Sequence, residues 1–415
     1  MDKNIIEKID NLIESKKDEI IDFTRILVKE LSETPPGNEV AVSNLIKSKA
    51  KEWNLPDPEI WAKKENRPNL IFKLKGTNSG KILVLNSHID TKPIGDISKW
   101  TVNPLEPQII DGRLYGRGST DMKGCAASMI TTLWAINNSG LDFNGDLILA
   151  LTADEEGGSA FGAKVLIEKE LKADAILIGE PSGINSNFDT LGLACRGALL
   201  AKIIVHGTQM HSSLSDQTHC INASVKMAEV MVEFSKNLKG KLHYKPHFLY
   251  PNGPTINPGV ILEGGIFYGV VPGVAGFGFD LRVIPGMTFE GVKRDIENFL
   301  SDLMKKDKDL DVELVLEKPP LNTWIPAAEI DKDHPIVKAC RESTKIIKGF
   351  EPELIGVPFG TDGCFLANEL NIPTISSFGP GFIKLAHGPD EYIDVDSIID
   401  AAKIYSLTSL IYLNS

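Results

Sequence analysis

Five short segments of the chain carry histidine or carboxylate side chains of the kind that bind metal ions. Each follows an apolar, strand-like run or lies in a glycine-bearing turn beside one, where an α/β protein exposes its functional side chains. In chain order they are Ser-His-Ile-Asp at 87–90, Gly-Ser-Thr-Asp at 118–121, Asp-Glu-Glu-Gly at 154–157, Gly-Glu-Pro at 179–181 and Ala-His-Gly at 386–388. Together they offer five metal ligands and one further carboxylate, which predicts a hydrolase with two metal ions.

The pair Glu155-Glu156 is the most informative of these segments. Adjacent side chains on an extended chain point in different directions. One carboxylate can therefore bind a metal ion while its neighbour faces a bound water molecule. The alternative is an acidic surface loop, which is less favoured because the apolar run 147–151 precedes the pair and Gly157-Gly158 follows it. The pair predicts separate Lewis-acid and general-base roles.

The other segments are weaker signals when each is taken alone. His88 and Asp90 could supply a metal-bound imidazole and the carboxylate that fixes its tautomer, or they could be a surface pair without a role. Glu180 alone is a weak signal, and a lone loop histidine such as His387 is more often solvated. Asp121 lies in a glycine-rich turn that lacks the glycine spacing of a dinucleotide site. Nucleotide binding is therefore not expected there, and Asp121 is well placed to bridge two cations.

Strands that alternate with helices must position these side chains. Apolar runs at 69–74, 82–86, 146–152 and 175–179 predict strands, and the stretches between them include predicted helices. This order is typical of an α/β fold with a mostly parallel sheet and helices on both faces. In such sheets ligands bind beyond the carboxyl ends of the strands.

The pattern changes after about residue 187. The chain then reads as strand, helix, strand, strand, helix, strand, which predicts an inserted α+β domain of ferredoxin-like type at 188–318. Pro319-Pro320 marks its end. The catalytic domain then consists of two parts, 1–187 and 319–415. The predicted site needs both parts, because His387 lies in the second.

Composition limits the classes of function. A length of 415 residues predicts two domains or one domain with a large insert. The net charge of −12 argues against a nucleic-acid or anionic-membrane partner. No apolar stretch is long enough to span a bilayer, the N-terminus lacks the features of a signal peptide, and the five cysteines have no paired spacing. We therefore expect a cytoplasmic protein with reduced thiols.

As an ordered set, the motifs resemble those of the co-catalytic zinc deacylases and exopeptidases. This family includes acetylornithine deacetylase, succinyl-diaminopimelate desuccinylase, aminoacylase and glutamate-releasing carboxypeptidases. The resemblance covers nearly the whole chain and is highly specific. It extends to His-Ser-Ser at 211–213, Asp-Leu-Arg-Val-Ile-Pro at 280–285, Gly-Thr-Asp-Gly at 360–363 and Ala-His-Gly-Pro-Asp-Glu at 386–391.

The resemblance implies two metal sites that share one ligand. His88, Asp121 and Glu180 would hold one zinc ion. Asp121, Glu156 and His387 would hold the other, with Asp121 as the bridge and a cis peptide bond after it. Two Zn²⁺ ions per subunit are thus expected, with Co²⁺ or Mn²⁺ as substitutes, because oxygen-rich sites accept several divalent ions.

The resemblance also implies catalytic and substrate-binding roles. Asp90 would orient His88, and Glu155 would be the general base and later the proton donor. His211 of the insert would polarise the scissile carbonyl, either in its own subunit or in the partner subunit of a dimer. Arg282 would bind the α-carboxylate of the substrate, for which a guanidinium is well suited.

Further substrate contacts are assigned to Asn222, Gly379 and Gly381. The insert departs from the family pattern at two places. Cys220 replaces the first glycine of the usual Gly-x-Asn-Ala segment, and Gly269 replaces the asparagine that often precedes Val-Val-Pro. Both departures leave the metal ligands intact and affect the region expected to face the substrate.

The sequence thus predicts a metal-dependent amidohydrolase of amino-acid biosynthesis that removes the acyl group from an N-acyl amino acid, with acetylornithine or succinyl-diaminopimelate as favoured substrates. A dipeptidase or carboxypeptidase is the alternative with the same chemistry. A catalytically silent metal-binding protein is a third hypothesis, and Glu155 argues against it because a structural site needs no spare carboxylate. The expected partners are the small-molecule substrate and a second copy of the chain, bound through the insert.

Overall fold

The computed structural model describes residues 1–317 and 322–415, and these form two units. Unit 1 comprises Met1–Cys195, Glu329–Val357 and Thr361–Ser415. Unit 2 comprises Arg196–Ala328 and Pro358–Gly360. The chain of unit 1 is therefore interrupted by unit 2, in the order that the sequence predicts.

Helices and strands are numbered here along the chain. The helices are α1 (Lys3–Glu14), α2 (Lys17–Lys29), α3 (Val40–Glu52), α4 (Gly124–Ser139), α5 (Ala163–Glu168), α6 (Ala223–Asn237), α7 (Phe289–Lys306), α8 (Pro335–Lys348), α9 (Asp362–Glu369) and α10 (Val395–Leu413). The strands are β1 (Glu59–Ala62), β2 (Pro68–Lys75), β3 (Asn78–His88), β4 (Gln108–Ile110), β5 (Arg113–Tyr115), β6 (Asn144–Thr152), β7 (Ala175–Ile178), β8 (Pro181–Gly183), β9 (Thr190–Cys195), β10 (Gly197–His206), β11 (Met210–His211), β12 (Thr255–Gly264), β13 (Val270–Val271), β14 (Val274–Val283), β15 (Asp311–Leu316), β16 (Trp324–Ile325), β17 (Ala328–Glu329), β18 (Glu353–Val357), β19 (Thr374–Ile375), β20 (Gly379–Phe382) and β21 (Tyr392–Asp394). Among the described residues, no helix is long and apolar enough to cross a membrane.

The main sheet of unit 1 is mostly parallel, as predicted. Its described strands lie in the order β1-β2-β6-β3-β7-β19. The pairs β6-β3, β3-β7 and β7-β19 are parallel, whereas β2 runs antiparallel to both β1 and β6. Leu83, Val84 and Leu85 of β3 are all fully buried. Because successive side chains of a strand point to opposite faces, both faces of the sheet are covered at this point.

Unit 2 is built on an antiparallel sheet in the order β12-β14-β10-β15. Helix α6 connects β10 to β12, and α7 connects β14 to β15. This strand order and these connections are those of a ferredoxin-like unit. Phe234 of α6 packs against Phe277 and Phe279 of β14, with ring centroids 5.6 and 4.9 Å away. Burial of these aromatic rings holds the helix on the sheet.

The boundaries of the insert lie later in the chain than predicted. Strand β9 pairs with β17 and β18, so the residues from Thr190 to Cys195 belong to a sheet of unit 1 and not to the insert that was predicted to begin at 188. Strand β16 pairs with β10, so Trp324 and Ile325 still belong to unit 2. The predicted second boundary, at 318/319 with Pro319-Pro320, lies outside the described residues.

The apolar residues from Ile5 to Leu27 fall close to helical spacing and predict one helix, but the structure has two helices there. Helices α1 and α2 are separated by Ser15 and Lys16. The Ser15 hydroxyl donates a 2.6 Å hydrogen bond to the carbonyl of Leu12. Serine side chains that bond locally to the backbone compete with the helical pattern, which accounts for the break that apolar spacing alone did not reveal.

Candidate metal centre

Three neighbouring strands of unit 1 bring predicted ligands to one edge of the main sheet. His88 is the last residue of β3, Glu156 follows β6 in a short turn, and Glu180 follows β7. Strand β3 lies between β6 and β7 and is parallel to both. The carboxyl ends of the three strands therefore coincide, which is where open α/β sheets bind their ligands.

Within the part of the chain that the structure describes, two groups of side chains could each hold a metal ion. The first cluster is His88, Asp121 and Glu180, and the second cluster is Asp121, Glu156 and His387. In each cluster, one ligand atom from every member lies within 4.8 Å of the others. Asp121 belongs to both. The structure thus brings together all five predicted ligands in the two predicted sets.

Asp121 lies between the two histidines. Its Oδ1 atom lies 3.0 Å from Nε2 of His88, and its Oδ2 atom lies 3.0 Å from Nε2 of His387. The Nε2 atom of His387 also lies 3.1 Å from Oε1 of Glu156. The two carboxylate oxygens of Asp121 therefore face different clusters, as a bridging ligand requires. The peptide bond after Asp121 is cis, as the family resemblance implied.

The backbone of Asp90, more than its carboxylate, orients His88. Nδ1 of His88 lies 2.9 Å from the carbonyl oxygen of Asp90 and 3.6 Å from its Oδ1. A carbonyl only accepts, so Nδ1 carries the proton and the lone pair of Nε2 is left for a metal ion. The Asp90 carboxylate instead accepts hydrogen bonds from the backbone N–H groups of Glu155 and Glu156, at 3.1 and 3.2 Å. Asp90 thus positions both the imidazole and the acidic pair.

Negative charge is crowded in the two clusters. Burial and the neighbouring Asp121 carboxylate raise the pKa of Glu180 well above its usual value. Hydrogen bonds to Asp121 and Glu156 raise the pKa of His387 to about 10. These side chains hold protons strongly because positive charge is favoured among so many carboxylates. Divalent cations would supply that charge in place of the protons, so the donor set fits hard or borderline cations such as Zn²⁺.

Glu155 belongs to neither cluster. It begins the turn after Asp154, whose φ of 62° is in the left-handed region. Burial and the neighbouring Glu180 carboxylate raise the pKa of Glu155 well above its usual value. A carboxylate beside the ligands with a raised pKa can take a proton and later return it, which suits a general acid–base group.

Sequence reasoning missed several side chains that hold the ligands in place. The Lys92 ammonium lies 2.5 Å from the backbone carbonyl of Glu156 and 3.1 Å from its Oε2. Arg67 is buried and pairs with Asp154 at 2.9 Å and with Glu39 at 2.8 Å. Since Asp154 directly precedes the acidic pair, Arg67 steadies that turn. The contacts join residues that are far apart in the chain, and no local pattern marks them.

His211 and Arg282 lie in unit 2. Nδ1 of His211 lies 3.2 Å from the backbone N–H of Ser213, which can only donate. The neutral imidazole therefore carries its proton on Nε2, and the side chain is exposed. Arg282 lies in β14, is partly exposed, and pairs through Nη2 with Oδ2 of Asp280 at 2.8 Å. The catalytic role of His211 and the substrate-binding role of Arg282 stay predictions.

The structure gives local reasons for the other predicted substrate contacts. Asn222 caps the N-terminus of α6, and its Oδ1 accepts hydrogen bonds from the backbone of Ser224 and Val225. A Cβ on Gly379 would lie 2.0 Å from the carbonyl oxygen of Gly179, next to Glu180. A Cβ on Gly381 would lie 2.7 Å from the Thr120 hydroxyl, and its φ is +93°. Helix capping thus explains Asn222, and close packing explains Gly379 and Gly381. The substrate contacts of these three residues stay predictions.

The chain belongs to the peptidase family M20/M25/M40, whose sequence profile matches residues 84–410. This range includes every ligand of both clusters. The chain is therefore a metallohydrolase of this family. Its mixed α/β fold is similar to that of an M20 family metallo-carboxypeptidase from Sulfolobus solfataricus, which superposes with a TM-score of 0.71 at 19% identity, over 99% of this chain and 100% of that chain.

Individual relatives differ in what they act on. The chain is 28% identical over 343 residues to a succinyl-diaminopimelate desuccinylase of Polynucleobacter necessarius, which covers 81% of this chain and 84% of that protein. It is 25% identical over 428 residues to the N-formyl-4-amino-5-aminomethyl-2-methylpyrimidine deformylase of Bacillus subtilis, covering 97% and 96% of the two chains. The di-peptidase Dug1p of Saccharomyces cerevisiae superposes with a TM-score of 0.71 at 16% identity, over 99% of each chain.

Proposed function

We propose that this metallohydrolase removes the acyl group from an N-acyl amino acid by hydrolysing the amide bond. The observation that carries the proposal is the position of Glu155, which stands beside two three-ligand clusters and belongs to neither. A protein that bound metal ions only for stability would have no use for an additional carboxylate with a raised pKa. Glu155 therefore favours the enzyme over the catalytically silent alternative.

Two Zn²⁺ ions are proposed as the cofactors, with Co²⁺ or Mn²⁺ as substitutes. His88, Asp121 and Glu180 would hold one ion, and Asp121, Glu156 and His387 the other. Ions bound there would act as Lewis acids, lowering the pKa of a water molecule and polarising the amide carbonyl. The protein residues must then move the protons and hold the substrate.

Glu155 carries the proton through the proposed reaction. Its carboxylate takes a proton from the attacking water as the water oxygen bonds to the amide carbon. The same group then donates that proton to the amide nitrogen as the carbon–nitrogen bond breaks, so the products are a carboxylic acid and an amine. Burial raises the pKa of Glu155 and favours its protonated form, which the second step needs.

Two residues of unit 2 are proposed to act on the substrate. His211 would donate a hydrogen bond from Nε2 to the amide carbonyl oxygen. The bond from Ser213 to Nδ1 supports this role because it fixes the tautomer with the proton on Nε2. Arg282 would bind the α-carboxylate of the substrate with the N–H groups that its pairing with Asp280 leaves available. Asp280 would then orient the guanidinium.

The proposed substrate class is an N-acyl amino acid, and acetylornithine and succinyl-diaminopimelate are the first candidates. The likeness to a desuccinylase and to a deformylase over most of the chain supports removal of a small acyl group. A dipeptidase or carboxypeptidase would use the same residues, since a peptide also presents an amide near a carboxylate. The dipeptidase likeness supports that alternative less, because at 16% identity it shows the fold alone.

A hydrolysis screen tests the proposed substrate class. We expect the zinc-loaded chain to release amino acids from a panel of acetylated, succinylated and formylated amino acids faster than it cleaves dipeptides. Amine release can be followed with a fluorogenic amine reagent. Faster cleavage of dipeptides would favour the peptidase alternative. Failure to hydrolyse any member of the panel with Zn²⁺, Co²⁺ or Mn²⁺ would favour the silent metal-binding protein.

A homodimer formed through unit 2 is also proposed. Strand β12 pairs with β14, and on its other edge no strand of the described residues pairs with it. Val260, Ile261 and Leu262 of this strand are 57%, 46% and 62% exposed. An exposed apolar edge strand favours pairing with another chain, and a second copy offers the same edge by two-fold symmetry. The adjacent α6 adds exposed apolar side chains, including Val232.

A charge on this edge should separate the subunits. We expect the wild-type chain to sediment with twice its mass of 45.4 kDa and the Leu262→Lys variant to sediment as a monomer. Lysine on an edge strand opposes strand pairing. Ile60→Lys is the matched control, because Ile60 is 52% exposed on β1, the edge strand of the main sheet of unit 1. A monomeric wild type, or a Leu262→Lys dimer, contradicts the proposed interface.

A further inference from the structure

A buried ion pair adjoins the second cluster without being part of it. Nη1 of Arg117 lies 2.5 Å from Oε2 of Glu391, and the two side chains are only 3% and 0% exposed. The pair joins the glycine-rich turn before Asp121 to the loop after His387, across 274 residues of sequence. Charges so fully removed from water are costly unless their other hydrogen-bonding atoms are also satisfied. The partners of those atoms therefore show which parts of the backbone the ion pair holds in place.

Each member of the pair holds the backbone of a predicted ligand segment. Oε1 of Glu391 accepts hydrogen bonds from the backbone N–H groups of Thr120 and Asp121, at 3.0 and 3.1 Å. Nη2 of Arg117 donates a 2.9 Å hydrogen bond to the backbone carbonyl of His387. His387 has a φ of 65°, a left-handed conformation that is uncommon for residues other than glycine. The contact with Arg117 stabilises that backbone.

The remaining contacts of Arg117 use its planar guanidinium. Nε donates to the carbonyl of Pro93 at 3.3 Å, and the group lies over the ring of Trp100, 5.3 Å from the ring centroid. Three nitrogens of one rigid plane thus reach three separate acceptors. Lysine carries the same charge but is a single point donor on a flexible chain, so it cannot reproduce this arrangement.

We propose that Arg117 and Glu391 are a positioning pair that sets the separation of Asp121 and His387 and thereby controls the metal affinity of the second cluster. The proposal rests on the proposed function in one respect, namely that this cluster binds a divalent cation. Among the hydrogen bonds of the described residues, neither member of the pair contacts His88 or Glu180. The pair should therefore affect the second cluster more than the first.

Calorimetric titration of the metal-free full-length chain with Zn²⁺ tests the proposal. We expect Arg117→Met and Glu391→Gln to weaken Zn²⁺ binding at the second cluster by about 10- to 100-fold, the range typical when a partner behind a metal ligand is removed. His387→Ala removes a ligand of the second cluster and so identifies its binding event in the titration. Binding at the first cluster should change much less. Arg117→Lys keeps the charge and should recover only part of the loss, because it cannot reach Glu391 and His387 together.

Lys403→Met is the control for the loss of a largely buried, paired cation away from the two clusters. Lys403 is also in unit 1, its side chain is 10% exposed, and it pairs with Asp10 and Glu14 at 2.6 Å. None of these three residues belongs to either cluster. We expect Lys403→Met to lower thermal stability and to leave both Zn²⁺ affinities unchanged.

Two results would overturn the positioning role. One is an Arg117 or Glu391 variant that unfolds at a lower temperature but binds both ions as tightly as the wild type. The other is an equal loss at both clusters, as a general structural defect would give. If Arg117→Met fails to fold, Arg117→Lys decides by the same criteria. A wild-type chain that binds fewer than two ions contradicts the proposed function instead, so the two failures are distinguishable.

Discussion

Replacing Glu155 with glutamine should reduce the rate of amide hydrolysis by about 10²- to 10⁴-fold, the usual contribution of a general acid–base group. Glutamine has nearly the same size and shape but cannot take a proton from water. Because Glu155 belongs to neither cluster, both metal ions should remain bound. Steady-state kinetics at saturating Zn²⁺, together with the metal content of the purified variant, measures both effects.

Glu156→Gln is the matched control, since it makes the same chemical change at the adjacent residue. Glu156 belongs to the second cluster, so this variant should lose affinity for one metal ion. Its activity should recover in part when the Zn²⁺ concentration is raised, whereas that of Glu155→Gln should not. A Glu155→Gln variant that keeps full metal-dependent activity would exclude Glu155 as the general base.

Asp121→Asn is expected to be at least as damaging, because Asp121 is the ligand that both clusters share. Its two oxygens lie 3.0 Å from the imidazoles of His88 and His387. Asparagine removes the negative charge and replaces one oxygen with an N–H donor, which cannot bind a cation. We expect both Zn²⁺ affinities to fall and hydrolysis to be lost. Calorimetric titration of the metal-free variant measures both affinities.

Single-cluster variants provide the comparison for Asp121→Asn. Glu180→Gln should weaken only the first cluster, and His387→Ala only the second. If Asp121→Asn lowers one affinity and leaves the other at the wild-type value, Asp121 does not bridge the two ions.

The sequence was sufficient to predict the ligands because they follow buried strands. Three of the predicted ligand segments come directly after the apolar runs that form β3, β6 and β7, and parallel neighbours place their carboxyl ends together. Asp121 and His387 lie in irregular loops, and only the ordered set of motifs identified them. The ferredoxin-like order of unit 2 was also predictable, since its helices and strands alternate clearly along the chain.

The supporting contacts could not be predicted, because they depend on tertiary packing between distant segments. The Asp90 carboxylate bonds to the backbone of Glu155 and Glu156, about 65 residues away, instead of to the imidazole two residues before it. Glu391 lies in one of the quoted motifs and Arg117 directly precedes another, yet nothing in the spacing shows that they pair. The same reason applies to the first boundary of the insert, which depends on the pairing of β9 within unit 1.

Anomalous diffraction from crystals of the zinc-loaded chain would test the two-metal centre most directly. We predict two anomalous peaks. One should be bonded to His88, Asp121 and Glu180, the other to Asp121, Glu156 and His387, with Glu155 bonded to neither. A single peak, or a peak bonded to Glu155, would contradict the division of roles between the two clusters and the general base.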